Sequence, residues 1–384
     1  MIIFATDRSR QRFIMLLMII LTIPIVIYVI TMSRMIPLGF DAWSYIAAAR
    51  ALMSGSDPYA QSLRDLVPEG TLLTSRFYLQ NTPYIYPPFL AFLCMPIVSM
   101  NMQMAMYIWI LIIGIINVLL VFSLKQLMEW KIAWFSVFFF LPIWESWYNG
   151  QVNALIALLF IISINSISNH RVFTSIFSLF LGTMIKITPL AGLLVLMFYH
   201  PRRTLMTSLG IASVVVIITL PRISLDTWLK GFLVPFQIER QTATLVSLGS
   251  LIKGLSGSSL IAMGLAGGLI AITLYRARHL APATALAAIL LVPLFTAPIG
   301  WSHHLVMALP ALAVLWSSGG LNRWLAGATW LLLTLSATQP LALVLLPVCW
   351  GTLCFGQAQI PAASRTQMSY DQAGIEAKTK VVKT

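Results

Sequence analysis

Long apolar stretches recur from one end of this chain to the other, and they constrain its fold more than any other feature. Runs near ~20 apolar residues match the thickness of a bilayer core. A chain built of them end to end cannot hide that surface in one soluble core. Only 9% of the residues are charged while 59% are hydrophobic, so little polar material exists to cover a soluble exterior. The chain therefore reads as an all-α polytopic integral membrane protein, in which each helix satisfies its own backbone groups. The first span, 13–33, is too long for a signal h-region, and no small-residue cleavage site follows it.

Charge then sets the topology. The formal net charge is +13, and the basic residues fall mostly between spans. Arg8, Arg10 and Arg12 put the N-terminus, 1–12, on the cytoplasmic side. Lys125 and Lys131, Arg171, Arg202 and Arg203, Arg276 and Arg278, and Arg323 follow as further inside loops, so nucleic acid is not needed to explain the basic excess. Crossings are expected at 102–124, 132–147, from 152 onward, 204–221, 258–275, 280–297, 305–318, 324–338 and 341–355. The short run 89–99 reads as re-entrant or tilted, and 172–200 as two shortened spans meeting outside at Lys186-Ile187-Thr188-Pro189. The total is about twelve transmembrane helices within one domain, 13–356. Its external loops are 34–84 and 222–257, and a polar tail, 357–384, is expected to be disordered and cytoplasmic. Cys94, Cys349 and Cys354 lie in apolar runs and read as buried small hydrophobes. No internal repeat stands out.

The first external loop opens with Gly39-Phe40-Asp41-Ala42-Trp43-Ser44-Tyr45. Ala42, Tyr45, Ile46, Ala49, Leu52 and Met53 recur at helical spacing and Gly55 supplies a stop, so an amphipathic helix starts here. A second amphipathic piece is expected near 61–67. Asp41 stands where a helix cap would stand. It also stands where a general base would serve an enzyme at a membrane surface.

The positive-inside topology gathers the unusual polar groups at the outer face. They are Asp41, Glu145 with Asn149 and Gln151, Lys186, Lys253, and His303 with His304. Ionisable groups at membrane depth are costly and mark functional sites. Each also has a plainer reading. Lys186 could snorkel to the headgroups. The histidines could be satisfied interfacial residues, and Glu145 a member of an aromatic belt. Asn149-Gly150-Gln151-Val152-Asn153 could be a turn with its caps, and Tyr86-Pro87-Pro88 a helix start. The chain has no Ser-His-Asp pattern, Walker sequence, Gly-rich dinucleotide turn, Cys/His metal spacing or Asp-x-Asp. What remains is a carboxylate base, cations suited to a phosphate, and amides and aromatics suited to a sugar. A carboxylate can take the proton of a hydroxyl attacking an anomeric carbon, while Lys and His steady a departing phosphate.

The Gly39–Tyr45 stretch, with Ala49-Arg50-Ala51-Leu52 and Gly55-Ser56-Asp57-Pro58-Tyr59, resembles the first external loop of glycosyltransferase family 87. These are bacterial GT-C-type enzymes that use polyprenyl-phosphate sugars and are best known as mannosyltransferases. Further matches follow in the family's order: Tyr86-Pro87-Pro88, Gly150-Gln151-Val152-Asn153, Lys186-Ile187-Thr188-Pro189 with Arg202-Arg203, and Pro298-Ile299-Gly300-Trp301-Ser302-His303-His304. The resemblance covers roughly 39–310. The Ser247–Gly254 stretch departs from it, lacking an asparagine and a glutamine at its start.

The resemblance implies a GT-C-like helical bundle and an inverting transfer of one sugar, mannose or similar, from a polyprenyl-phosphate donor to a lipid-linked or cell-envelope glycan acceptor. It implies no cofactor and no metal. Asp41 matches the catalytic aspartate. Lys186, His303, His304, Gln151, Asn153, Tyr45, Tyr86 and Lys253 become candidates for the donor phosphate and the substrates. The expected location is the bacterial inner membrane, with the site on the periplasmic face. Two readings compete: a transporter or flippase of lipid-linked glycans, and an assembly subunit without chemistry.

Overall fold

The computed structural model describes residues 7–35, 38–59, 84–237, 247–297, 301–335 and 341–356, and every regular element among them is helical. The piece expected near 61–67, Pro298-Ile299-Gly300 and the tail lie outside the described residues. In chain order the α-helices are α1 (Asp7–Met35), α2 (Ala42–Met53), α3 (Pro88–Cys94), α4 (Met102–Leu124), α5 (Trp130–Phe138) and α6 (Leu141–Tyr148). Then come α7 (Asn153–Ser168), α8 (Val172–Ile185), α9 (Leu190–Tyr199), α10 (Pro201–Thr219), α11 (Leu225–Gln237) and α12 (Leu248–Ser256). The last are α13 (Ser259–Ala277), α14 (Pro282–Thr296), α15 (Leu309–Ser317), α16 (Gly320–Leu335) and α17 (Ala342–Phe355). Two 3₁₀ turns, Met95–Ile97 and Ser302–Ala308, follow α3 and precede α15.

Among the described residues 4 helices, α1, α4, α10 and α13, are long and apolar enough to cross a bilayer alone. Shorter apolar helices, among them α7, α8, α9, α14 and α17, make up much of the rest, so the expected twelve crossings do not follow from helix length. α1, α10 and α13 carry outward-facing apolar side chains such as Ile19, Ile27, Met206, Ile217 and Leu260, as a lipid-facing surface requires. The interior is different. α14 is buried almost all round, among α7, α9, α13, α15 and α17, and its alanines 283, 285, 287 and 288 let those neighbours come close.

Three details position the site. The expected 132–147 crossing is two helices: Phe140 is extended and Pro142 sits in the first turn of α6, where its missing N–H costs nothing. The expected pair of shortened spans is present as α8 and α9, and the turn at Lys186–Pro189 packs tightly, since a Cβ on Gly182 would lie 2.9 Å from Pro189 Cγ. In the expected loop 222–257 the described residues form two helices. α12 starts on a capping box between Ser247 and Ser250, ends on the left-handed Gly257, and is pinned to the end of α14 by Ser247 Oγ donating to the Ala297 carbonyl at 2.5 Å. α11 lies on the first loop: Lys230 pairs with Asp57 at 3.0 Å, and Gly231 sits against Tyr59 and Pro88, where any Cβ would clash.

Candidate active site

The site begins as a backbone strap. The Asn-Gly pair at 149–150 makes a turn in which Gly150 takes φ +69°, a conformation glycine adopts freely. The strap before α2 docks on that turn. Gly39 N–H donates to the Tyr148 carbonyl at 2.7 Å and Asp41 N–H to the Asn149 carbonyl at 2.9 Å. Trp109, from α4, holds the Gly150 carbonyl through its indole N–H at 2.7 Å. The fit leaves no room for a side chain, because a Cβ on Gly150 would lie 2.7 Å from Ala42 Cβ.

This docking brings Gln151 to Asp41. Gln151 Nε2 donates to Asp41 Oδ2 at 2.5 Å. The other end of the amide, Oε1, accepts from the Tyr45 hydroxyl at 3.1 Å and the Tyr86 hydroxyl at 2.9 Å. Two phenols donating to the oxygen leave the NH₂ group facing the carboxylate, so the amide orientation is fixed by its partners. Burial, with Tyr86 and Asp41 nearby, pushes the Tyr45 phenol well above its ordinary range, which keeps it a donor. The cap reading of Asp41 is corrected here. The residue occupies the cap position of α2, but its backbone is helical and its side chain makes no cap bond. Ser44 satisfies the Asp41 carbonyl instead, by N–H at 3.1 Å and Oγ at 2.6 Å.

Two residues on, Asn153 ties in two more segments. Its Oδ1 accepts from Lys186 Nζ at 2.7 Å, and its Nδ2 donates to the His303 carbonyl at 3.1 Å. Lys186, in the turn after α8, also stands over the Tyr86 ring at 5.9 Å from its centroid. Burial lowers its ammonium to about 7, against the pull of the Asp41 carboxylate that would raise it. The buried His303 ring lies parallel to Trp301, 6.1 Å away, and meets His304 edge to face at 4.8 Å.

The structure thus gathers Asp41, Tyr45, Tyr86, Gln151, Asn153, Lys186, His303 and His304 from five separate parts of the chain. Lys253 stands on α12, whose main neighbours are α13 and α14. Sequence reasoning gave no role to Trp109, and quoted Tyr59, whose hydroxyl donates to the Tyr86 carbonyl at 2.7 Å, only within the Gly55–Tyr59 motif. Nothing local marked Trp109, whereas Asp57-Pro58-Tyr59 did carry a turn signature, and Tyr59 N–H does bond Asp57 Oδ1 at 2.9 Å. Among the described residues no group of three or more His, Cys, Asp or Glu side chains is placed to hold a metal ion. Beside the Lys186 turn lies a wholly apolar groove of about 380 Å³, lined by Met184, Ala212, Val215, Val216, Trp228 and Phe232. An oriented carboxylate, a half-buried lysine, two histidines and an apolar groove can together activate a hydroxyl, hold an anion and seat a chain of hydrocarbon.

The model of glycosyltransferase family 87 matches residues 84–299, more than half of the 384-residue chain. The match takes in α3 through α14 and with them Tyr86, Gln151, Asn153 and Lys186. Comparison with curated proteins and with solved structures gives no match.

Proposed function

The chain belongs to glycosyltransferase family 87, and on that premise we propose an inverting transfer of one sugar, mannose or similar, from a polyprenyl-phosphate donor to a lipid-linked or cell-envelope glycan. It is a membrane glycosyltransferase, and the finer reading rests on its own side chains. Asp41 acts as general base: one carboxylate oxygen takes the proton of the acceptor hydroxyl as that oxygen attacks the anomeric carbon. The bond from that carbon to the phosphate oxygen breaks in the same displacement, and its electron pair leaves with the phosphate. Attack from the face opposite the leaving group inverts the anomeric centre. Lys186 and the His303–His304 pair receive the charge that builds on the departing phosphate.

The observation that carries this reading is the Gln151–Asn153 link. One short segment orients the Asp41 carboxylate through Gln151 and holds the Lys186 ammonium through Asn153. A base and an anion partner held by neighbouring amides suit two ends of one reaction. Alignment of this kind supplies much of an enzyme's rate. The groove beside Met184 supports a donor with an isoprenoid tail, since an apolar trough opening two residues before Lys186 seats the tail while the lysine meets its phosphate. The site faces the periplasm in a bacterial inner membrane, on the side opposite the basic loops.

The test is transfer by purified protein in lipid nanodiscs, offered a panel of radiolabelled polyprenyl-phosphate sugars and, separately, nucleotide sugars. Label passing from a polyprenyl-phosphate sugar alone supports the reading. Label passing only from nucleotide sugars contradicts the donor assignment. Movement of intact lipid-linked glycan across proteoliposomes, with no transfer, establishes the flippase alternative.

A further inference from the structure

α11 touches two parts of the molecule at once. One side lines the apolar groove, where Trp228 and Phe232 stack with ring centroids 6.2 Å apart beside Leu225 and Leu229. Another side bears on the first loop. Lys230 Nζ meets Asp57 Oδ2 at 3.0 Å, and Gly231 lies so close to the Tyr59 hydroxyl and Pro88 that a Cβ would overlap both. Among the described residues the helix has few other holds. Trp228 Nε1 donates to Thr219 Oγ1 at 3.2 Å, α3 is the helix it packs on, and Leu225, Leu229 and Leu233 are exposed. From Tyr59 the contacts run on to the carboxylate. The Tyr59 hydroxyl donates to the Tyr86 carbonyl at 2.7 Å, the Tyr86 hydroxyl to Gln151 Oε1 at 2.9 Å, and Gln151 Nε2 to Asp41 Oδ2. Tyr84, whose hydroxyl donates to the Pro87 carbonyl at 2.7 Å, ties the 84–88 segment together. The same Tyr86 ring lies under Lys186 Nζ.

We propose that α11 reads the donor's hydrocarbon tail, and that Tyr59 is the positioning residue that passes the reading to Asp41. A tail in the groove seats Trp228 and Phe232, and the helix then presses Gly231 against Tyr59 and Pro88. Tyr59 holds the Tyr86 backbone, and Tyr86 with Tyr45 holds the Gln151 amide on the carboxylate. Coupling of this kind travels through packed side chains and hydrogen bonds, and here each link from groove wall to carboxylate is a direct contact. The chemical rationale is that binding energy from a remote part of a substrate raises kcat when it goes into aligning the reacting groups. A donor with a truncated tail then loses rate as well as affinity.

This inference rests on the polyprenyl-phosphate reading for its kinetic test, so a second measurement that needs no activity accompanies it. Steady-state transfer is compared for a long-chain polyprenyl-phosphate sugar and a short-chain analogue of the same sugar. The wild type turns over the long-chain donor with a kcat about tenfold higher. Tyr59→Phe keeps the ring and loses the bond to the Tyr86 carbonyl. It brings the long-to-short ratio of kcat to about one, with the long-chain KM changed less than about threefold. Equal kcat for both donors in the wild type overturns the proposal. So does a ratio kept near the wild-type value in Tyr59→Phe, which is what a merely structural tyrosine would give. Hydrogen exchange over 84–94 is then followed with saturating long-chain polyprenyl phosphate that carries no sugar. Exchange slows about tenfold in the wild type and less than about twofold in Tyr59→Phe. Absence of binding, or binding without protection, overturns the proposal. If Tyr59→Phe fails to fold, Lys230→Met, which cuts only the exposed ion pair with Asp57, takes its place. It lowers the kcat ratio at least about threefold, and an unchanged ratio overturns the proposal. A wild-type protein inactive with every donor removes the glycosyl-transfer reading, and exchange still decides whether occupancy of the groove reaches Tyr86.

Discussion

Gln151 is the residue that makes Asp41 more than a charge at the end of a helix. Its amide uses both ends, with two phenols on the oxygen and the carboxylate on the nitrogen. Gln151→Leu removes the acceptor shared by two buried phenols and the amide that donates to the carboxylate. We expect kcat to fall about 100-fold while the protein stays folded, checked by transfer assays alongside thermal melting in detergent. Lys186 carries a pH dependence whose sign is set. Burial holds its ammonium near 7, below the ordinary 10.5, so the proton is lost from the free protein as pH rises through about 7. On the proposed reading an anionic donor binds the charged form. KM for the donor should therefore rise between about pH 6 and about pH 8, approaching tenfold per unit above the pKa, and Lys186→Arg should flatten the profile. Stability runs the other way. Between about 7 and 10.5 the unfolded chain binds the proton that the folded one has lost, so this group makes the fold more stable as pH rises.

At the scale of elements, the strap and turn carry the site. Gly150→Ala forces a left-handed backbone on a residue with a Cβ and drives that Cβ into Ala42. We expect ~1–3 kcal/mol of destabilisation and a transfer rate reduced in step with displacement of Asp41, measured by melting and by kcat. The groove between α8, α10 and α11 gives a second prediction. Ala212→Trp fills it, so KM should rise about tenfold for a long-chain donor and hardly at all for a short-chain analogue of the same sugar. Much at this scale was legible in the sequence. The 102–124 stretch is α4, the shortened pair meeting at Lys186 is α8 and α9, and a helix does follow Asp41 as α2, because apolar runs, Gly55 and Pro189 are local signals; α2 is not amphipathic, however, but buried on nearly every side, with Met53 exposed. The break at Phe140 was also written in Pro142, but the unbroken apolar run outweighed it. Residues 149–153 read as a turn with caps; the turn is there, but no side chain caps the start of α7. Their further role, clamping Asp41 and Lys186, depends on partners 110 and 33 residues away and no local pattern carries it.

At the scale of the whole molecule, Asp41, Lys186 and His303 are joined through Gln151 and Asn153, and we propose that this junction lies at the periplasmic end. α7 leads away from that end to Asn169 and His170, which are exposed at the other. A topology experiment follows. The native cysteines Cys94, Cys349 and Cys354 are buried, so background labelling is low. Ser54→Cys should react with a membrane-impermeant maleimide from the periplasmic side, and His170→Cys only after the membrane is opened. Labelling of both from the same side contradicts the arrangement.

The central claim is that Asp41 is the base of a sugar transfer. Asp41→Asn keeps the shape and can still sit against Gln151, but it cannot take a proton at neutral pH. Transfer from a radiolabelled polyprenyl-phosphate sugar, measured with wild-type and Asp41→Asn protein at matched folded amounts, tests the claim most directly. The account predicts a drop in kcat of about 10²–10⁴-fold with normal expression and melting. Transfer by Asp41→Asn at the wild-type rate would contradict it.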